Sequence, residues 1–132
     1  PLHHPGGAVA YRIEHRGHAF VQASDVEHTE NHPDPGLTSL CQGADYFSYD
    51  STYVDGVEYE RFKGWGHSTW RHGLEISQAA GVKTFIAFHH DPGHDDAFMD
   101  AVGENLRAIE PGSLVAIEGM TVDLLTGTLE TP

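Results

Sequence analysis

The segment Val82-Lys-Thr-Phe-Ile-Ala-Phe88 runs directly into His89-His90-Asp91-Pro92-Gly93-His94-Asp95-Asp96. A short run rich in apolar residues and stopped by Pro and Gly reads as a buried strand rather than a helix. A strand of this kind must be covered on its faces, which demands a layered fold. The same strand ends in three histidines and three aspartates, side chains that prefer water or metal. Any fold proposed for the chain has to account for both halves of the segment.

The remaining segments fit a layered α/β class. Ala8–Glu14 (AVAYRIE) and His18–Ser24 (HAFVQAS) read as a hairpin turning at Arg16-Gly17. Asp25–Pro35 is polar and reads as a loop, and Leu37–Cys41 as a short helix. Asp45–Tyr49 (DYFSY) reads as a buried strand delivering Asp50 at its C-terminal end. Thr52–Lys63 reads as loop with a helical turn. Ser68 or Thr69 is placed to cap a helix reaching Ala80, with Trp70 and Leu74 on one face and Gly81 just beyond its end. Asp95 is placed to cap a second helix, whose apolar stripe is Phe98, Val102, Leu106 and Ile109. Pro111-Gly112 ends it, and Ser113–Ile117 and Met120–Leu124 read as closing strands. A hairpin followed by alternating helix and strand gives α/β.

Composition narrows the partners. Lys and Arg number 7 against 20 Asp and Glu, a formal net charge of −13. Such a chain repels nucleic acid and acidic membrane surfaces unless metal or a basic patch reverses the field. The seven basic residues are scattered. A small anionic substrate is therefore favoured over nucleic acid. No apolar run approaches the roughly 20 residues that span a bilayer. The single cysteine, Cys41, excludes an internal disulfide and fits a cytoplasmic setting. The chain begins with Pro1 rather than Met, which points to a processed or partial polypeptide.

Histidine is abundant, 11 in 132 residues. Four polar clusters fall at element boundaries: His3-His4-Pro5, Ser24-Asp25-Val26-Glu27-His28, Gly66-His67-Ser68-Thr69 and His89-His90-Asp91. Loops converging beyond strand ends are where α/β folds build sites. His and Asp side chains there suit zinc or another first-row metal, and a bridging carboxylate can hold two ions. Taken singly, each histidine has a plainer reading as a solvated or backbone-bonded side chain. His15, His18, His28, His32, His72 and His94 read as surface residues, and Trp65 and Trp70 as packing.

Read in order, these segments resemble the metallo-β-lactamase fold superfamily, in the branch of ribonuclease Z and related metal-dependent phosphodiesterases. His4–Glu14 (HPGGAVAYRIE) is similar to its ligand histidine followed by a Gly-Tyr-Arg strand, with Ala10 here in place of the glycine. Ser24–His28 (SDVEH) resembles its Gly-Asp-Thr segment, and Gly43–Tyr53 (GADYFSYDSTY) its acidic His-Glu-Ala-Thr segment. Gly64–Trp70 (GWGHSTW) carries its Gly-His-Ser-Thr motif, and Ala80–Pro92 (AGVKTFIAFHHDP) its strand ending in a ligand histidine.

The resemblance implies a metallohydrolase with two divalent metal ions, zinc first and iron or manganese as alternatives. His4, Asp25 and His89 would be metal ligands, Asp25 bridging, with His90 as the fallback for His89. His67 and Asp50 would be catalytic, His67 as proton donor or stabiliser of developing charge and Asp50 as its orienting partner. Asp50 and Asp91 are candidates to hold the free ring nitrogen of a ligand histidine. A metal-activated hydroxide would attack a small phosphodiester or other ester. The family's His-x-His-x-Asp-His signature does not occur in the chain. That motif lies in the N-terminal half of the fold, so the chain reads as the C-terminal half of a four-layer αββα sandwich. A missing N-terminal half or a homo-oligomeric partner would then cover its sheet. Two alternatives remain at this point: a di-iron oxidoreductase of the same fold, and a catalytically incomplete structural module.

Overall fold

A computed structural model describes residues 1–132. Tyr11–His15 (β1) and His18–Ala23 (β2) form the expected hairpin, with Tyr11 opposite Gln22 and His15 opposite His18. Arg16 and Gly17 both adopt left-handed backbone, φ 50° and 83°, the geometry that a tight hairpin turn needs. Pro35–Cys41 (α1) follows a polar loop, capped by the Asp34 carboxylate on Leu37 N. Tyr46–Asp50 (β3) then pairs parallel to β2, and Thr84–Phe88 (β4) parallel to β3. Between them lie Val57–Phe62 (α2) and Trp70–Ala80 (α3). Asp96–Ile109 (α4) leads to Leu114–Val115 (β5), which pairs parallel to β4. The sheet order is β1-β2-β3-β4-β5, mixed, with only the hairpin antiparallel.

Three readings are corrected. The 52–63 segment contains a defined helix, α2, in place of a single turn. Thr121–Val122 (β6) pairs with Leu129–Glu130 (β7) in a separate two-stranded sheet and does not close the main one. Of the apolar stripe on α4, Val102 and Leu106 are buried, while Phe98 and Ile109 are exposed near the helix ends. Phe98 instead stacks on the His94 ring at 4.0 Å.

Alternation along the strands sorts the sheet into two faces. Val21, Ala23, Phe47, Tyr49, Phe85 and Ala87 point to the core shared with Leu37, Cys41, Leu74, Ile76 and Leu106 of the helices. Gly73 lets α3 approach this closely: a Cβ there would lie 2.3 Å from Tyr49 and 2.8 Å from Phe85. Gly81, at φ 65°, ends α3 as its position suggests. The opposite face carries Ile13, Phe20, Tyr46, Ile86 and Phe88. With Ile117, Met120 and Val122 they line an open apolar groove of about 460 Å³. The helices therefore cover one face of the sheet only. No helix is long and apolar enough to cross a membrane.

Candidate metal centre

Parallel strands deliver their C-terminal ends to one edge of the sheet, and the polar clusters meet there. Asp25 follows β2, Asp50 ends β3, and His89 follows β4. Asp25 and His89 hold left-handed backbone, φ 58° and 62°. Apart from Arg16 in the hairpin turn, they are the chain's only non-glycine residues at positive φ. Strain of this kind gathers where a side chain must be aimed at a site.

Asp50 is fully buried, and it organises the edge. Its Oδ2 accepts from Asp25 N at 2.9 Å, from Val26 N at 3.3 Å and from His67 Nδ1 at 2.9 Å. Its Oδ1 accepts from Thr52 N, Thr52 Oγ1 and Ser68 N at 2.9–3.2 Å. One carboxylate thus ties the β2, β3 and α3 loops together. One atom each from Asp50, His67 and His89 lies within 4.8 Å of the others, a spacing an ion could use. Both Asp50 oxygens are already filled by these donors, so Asp50 is better suited to anchor than to ligate.

The three inward histidines share a second feature. His4 Nδ1 lies 2.8 Å from Gly66 O, an atom that only accepts, so Nδ1 carries the proton. His67 Nδ1 donates to Asp50, and His89 Nδ1 lies 3.1 Å from Thr52 Oγ1. In each ring the outer nitrogen is held, and the Nε2 lone pair is left for the site. Asp25 Oδ1 stands 4.0 Å from His4 Nε2 and 3.8 Å from His89 Nε2. Those separations are too long for hydrogen bonds. They match donors sharing ions at the roughly 2.0–2.2 Å of zinc–nitrogen and zinc–oxygen bonds. The donor set fits a divalent first-row metal.

The His67 ring stacks against His89 at 5.1 Å and meets His4 edge-on at 5.5 Å. His4, Asp25, Asp50, His67 and His89, the residues the resemblance points to, thus lie together at this edge. His90 is turned away, its Nε2 toward Ala116 O at 3.2 Å, and burial lowers its pKa. Asp91 does not hold a histidine: its Oδ1 accepts from Gly93 N and shapes its own turn.

Glu27, Ser68 and Thr52 support the site in roles that the sequence reading does not assign to them. The buried Glu27 carboxylate accepts from Gly64 N at 2.7 Å and Gly66 N at 3.0 Å, clamping the loop that carries His67. Gly66 has φ 95°, and a Cβ there would lie 2.2 Å from His4 Nδ1. The Gly-x-Gly pattern before His67 was the one available signal. Ser68 Oγ accepts from Tyr49 OH and lies 2.8 Å from His28 Nδ1. His28, His32 and His72 are not surface residues but a half-buried cluster, with the His28 and His72 rings stacked. Desolvation, then the charges of His72 and His32, lowers the His28 pKa to about 3.

Comparison with known proteins agrees with this architecture. No family model matches the chain. Ribonuclease Z of Gemmatimonas aurantiaca is 30% identical over 109 residues, 83% of this chain and 32% of that protein. Ribonuclease Z of Brevibacillus brevis is 32% identical over 92 residues, 70% of this chain and 27% of its own length. The metallo-β-lactamase fold protein YhfI from Bacillus subtilis superposes with a TM-score of 0.67 at 15% identity, covering 98% of this chain and 47% of that one. The short form of human tRNase Z gives 0.55 at 14% identity, over 92% of this chain and 36% of that one. The chain belongs to the metallo-β-lactamase fold superfamily, on its ribonuclease Z-like branch. It spans about a third of the length of the curated relatives it matches. Within that superfamily fold the described sheet, helices on one face, accounts for part of the whole.

Proposed function

We propose that this chain is the C-terminal half of a metal-dependent hydrolase that cleaves phosphodiesters. The observation that carries the reading is Asp25 Oδ1, set between the Nε2 atoms of His4 and His89 at 4.0 and 3.8 Å. His4, Asp25 and His89 would hold divalent metal, zinc first, together with ligands from the other half of the fold. Bound metal would supply Lewis acidity and a nucleophile at neutral pH. The chain's own residues do the rest. Asp50 holds the Nδ1 proton of His67 and so fixes the tautomer whose Nε2 faces the reacting group. Once Nε2 has taken up a proton from solvent, His67 can pass it to the leaving oxygen or stabilise charge developing there, with Asp50 balancing the imidazolium. Thr52 and Gly66 O set the rings of His89 and His4.

The preceding half of the sandwich covers the apolar groove lined by Ile13, Phe20, Ile86 and Phe88. Two sheets packed face to face would bury this surface. The substrate favoured by a net charge of −13 is a small anionic phosphodiester rather than a polynucleotide.

The test is hydrolysis of bis(p-nitrophenyl) phosphate by the full-length protein, with metal counted by native mass spectrometry. Activity should be lost with a strong chelator and return with zinc. Asp25→Ala should reduce kcat/KM by at least about 10²-fold, the scale of losing a group acting in the transition state. An Asp25→Ala variant with full activity and full metal content would sink the reading.

A further inference from the structure

We propose that Glu27 is the positioning residue that aims the His4 Nε2 lone pair at Asp25, acting through the Gly66 peptide. The inference rests on the metal-dependent reading above and names what that reading leaves open, which is how His4 is held. His4 lies outside every helix and strand, so regular structure does not aim it.

Glu27 reaches His4 from two sides. Its backbone N donates to His3 O at 2.8 Å, which fixes the residue just before His4. Its side chain works on the ring. The carboxylate, in a residue only 5% exposed, accepts from Gly66 N at 3.0 Å, from Gly64 N at 2.7 Å and from Tyr59 OH at 3.3 Å. Gly66 O in turn accepts from His4 Nδ1 at 2.8 Å. A proton held on Nδ1 leaves the Nε2 lone pair facing Asp25 Oδ1, 4.0 Å away. Glu27 also follows Asp25 by two residues, so one short stretch carries the carboxylate of the site and the group that aims a histidine at it.

The 64–66 stretch needs such a clamp. Trp65 is 64% exposed, contrary to its reading from sequence as a packing residue, so burial of that side chain does not hold the loop. Gly64 and Gly66 stand at φ 91° and 95°, and a glycine has no Cβ to confine its backbone to one region. Trp65 N donates to Phe62 O, which ties the loop to the end of α2 ahead of Gly66. A Cβ on Gly66 would lie 2.2 Å from His4 Nδ1, so ring and peptide touch with nothing between them. Holding the Gly66 amide therefore narrows where the carbonyl that His4 depends on can point. Asp50 does the matching work further along, accepting from His67 Nδ1 and Ser68 N. Two buried carboxylates divide one loop: Glu27 holds the part that orients His4, and Asp50 the part that orients His67. Loss of Glu27 should then release His4 and leave His67 in place, a split that a general loosening of the fold would not produce.

The experiment compares the full-length protein as wild type, Glu27→Gln and Tyr59→Phe. Glu27→Gln keeps the shape of the side chain but turns an NH2 group toward a glycine amide that itself donates. Zinc titrations against a competing chelator should show Glu27→Gln binding about 10–100-fold more weakly, the scale of losing a group that orients a ligand histidine. Tyr59→Phe removes one donor to Glu27 and leaves both glycine amides in place, so it should bind zinc as wild type does. Nitrogen-15 NMR of the metal-free proteins, with their histidines neutral, should find His4 protonated on Nδ1 in wild type and divided between Nδ1 and Nε2 in Glu27→Gln. His67 should stay protonated on Nδ1 in both. An unchanged His4 tautomer in Glu27→Gln overturns the proposal, as does a change at His67 equal to that at His4, or a zinc affinity in Tyr59→Phe as weak as in Glu27→Gln. If Glu27→Gln does not fold, hydrogen exchange of the wild type decides. A Gly66 amide as protected as those of β3 supports the clamp, and one that exchanges like an open loop overturns it. Wild-type protein that takes up zinc and hydrolyses no phosphodiester removes the phosphodiesterase reading alone. Protein that takes up no zinc, while Glu27→Gln still releases the His4 tautomer, removes the metal and keeps Glu27 as the residue that aims the ring.

Discussion

Asp45 and Asp50 stand at the two ends of β3, and both are buried, at 8% and 0% exposure. They are held in opposite ways. Asp45, just before the strand, is neutralised: Lys83 Nζ lies 2.7 Å from Oδ1, His18 Nδ1 3.4 Å away, and Ala19 N donates to Oδ2 at 2.8 Å. Asp50, at the strand's other end, has no lysine or arginine. Four backbone amides, a threonine hydroxyl and His67 satisfy it instead. A carboxylate paired with a local cation is self-sufficient and serves the fold. One held by amides keeps its charge available to the groups around it, here the imidazoles of the candidate metal centre. The difference teaches that the two ends of one strand do separate jobs with the same side chain.

The sharpest break in that comparison is Asp50→Ala. Six donors would lose their acceptor in the buried interior, at about 1–3 kcal/mol for each that finds no replacement. The variant should lose more than about 3 kcal/mol in denaturant unfolding of the full-length protein, or fail to fold. Asp50→Asn separates structure from chemistry. It keeps the shape but turns an amide toward other donors and releases the Nδ1 proton of His67. It should fold, while kcat falls by about 10²–10⁴-fold. A near-wild-type kcat for Asp50→Asn would mean that Asp50 serves the fold just as Asp45 does.

Asp45→Asn is the matched control and should have a smaller effect. Lys83 is 70% exposed, so the ion pair itself contributes little in water. The hydrogen bond to Lys83, then that from Ala19 N, holds the Asp45 carboxyl down to about 2, against an ordinary 3.8. A depressed folded-state pKa contributes stability above the unfolded value. That stability is lost as pH falls from about 4 towards about 2. Melts of wild type across this window should show the loss, and Asp45→Asn should show a flatter profile with unchanged activity per folded molecule. A variant whose kcat falls along with its stability would erase the distinction between the two ends.

Much of this division was legible in the sequence, and the reasons are local. The strands of the sheet were visible because buried parallel strands read as short apolar runs, and Asp50 and His89 because they stand where such runs stop. Gly81 and Asp95 announced helix ends through backbone and capping demands that few residues meet. The candidate metal ligands rest on family resemblance, since no spacing along the chain places His4 beside His89. Glu27 and Thr52 were missed because each acts through contacts far along the chain, Glu27 with Gly64 and Gly66 and Thr52 with His89. Periodicity carries nothing about such partners. The closing strand at 120–124 failed because a short alternating run does not say which sheet it joins. The His28, His32 and His72 cluster was hidden for the same reason: each histidine alone looks like a surface residue, and only the packing of α3 against the 25–35 loop brings them together.

That cluster offers the smallest test, and it extends the comparison from carboxylates to imidazoles. The rings of the candidate metal centre are anchored through Nδ1, and so is His28, on Ser68 Oγ, but His28 also stacks on His72 and Tyr59. Desolvation, with His72 and His32 as like-charged neighbours, lowers its pKa from 6.5 to about 3. The sign here is that of a histidine kept neutral. Between about pH 6.5 and 3 the unfolded chain binds a proton that the folded one refuses, so stability rises with pH across that window and is lost as pH falls. His28→Phe keeps the stack but removes both the titration and the Ser68 contact. At pH 7 it should cost about 1 kcal/mol, the net worth of one hydrogen bond. On acidification it should lose stability less steeply than wild type, so that the two unfolding curves meet near about pH 6 and the variant is the more stable below that. His72 is also lowered by burial and retains part of the slope in the variant. Parallel curves for the two proteins would show that His28 is protonated in the fold, and that its stack with His72 is not the neutral pair that its burial requires.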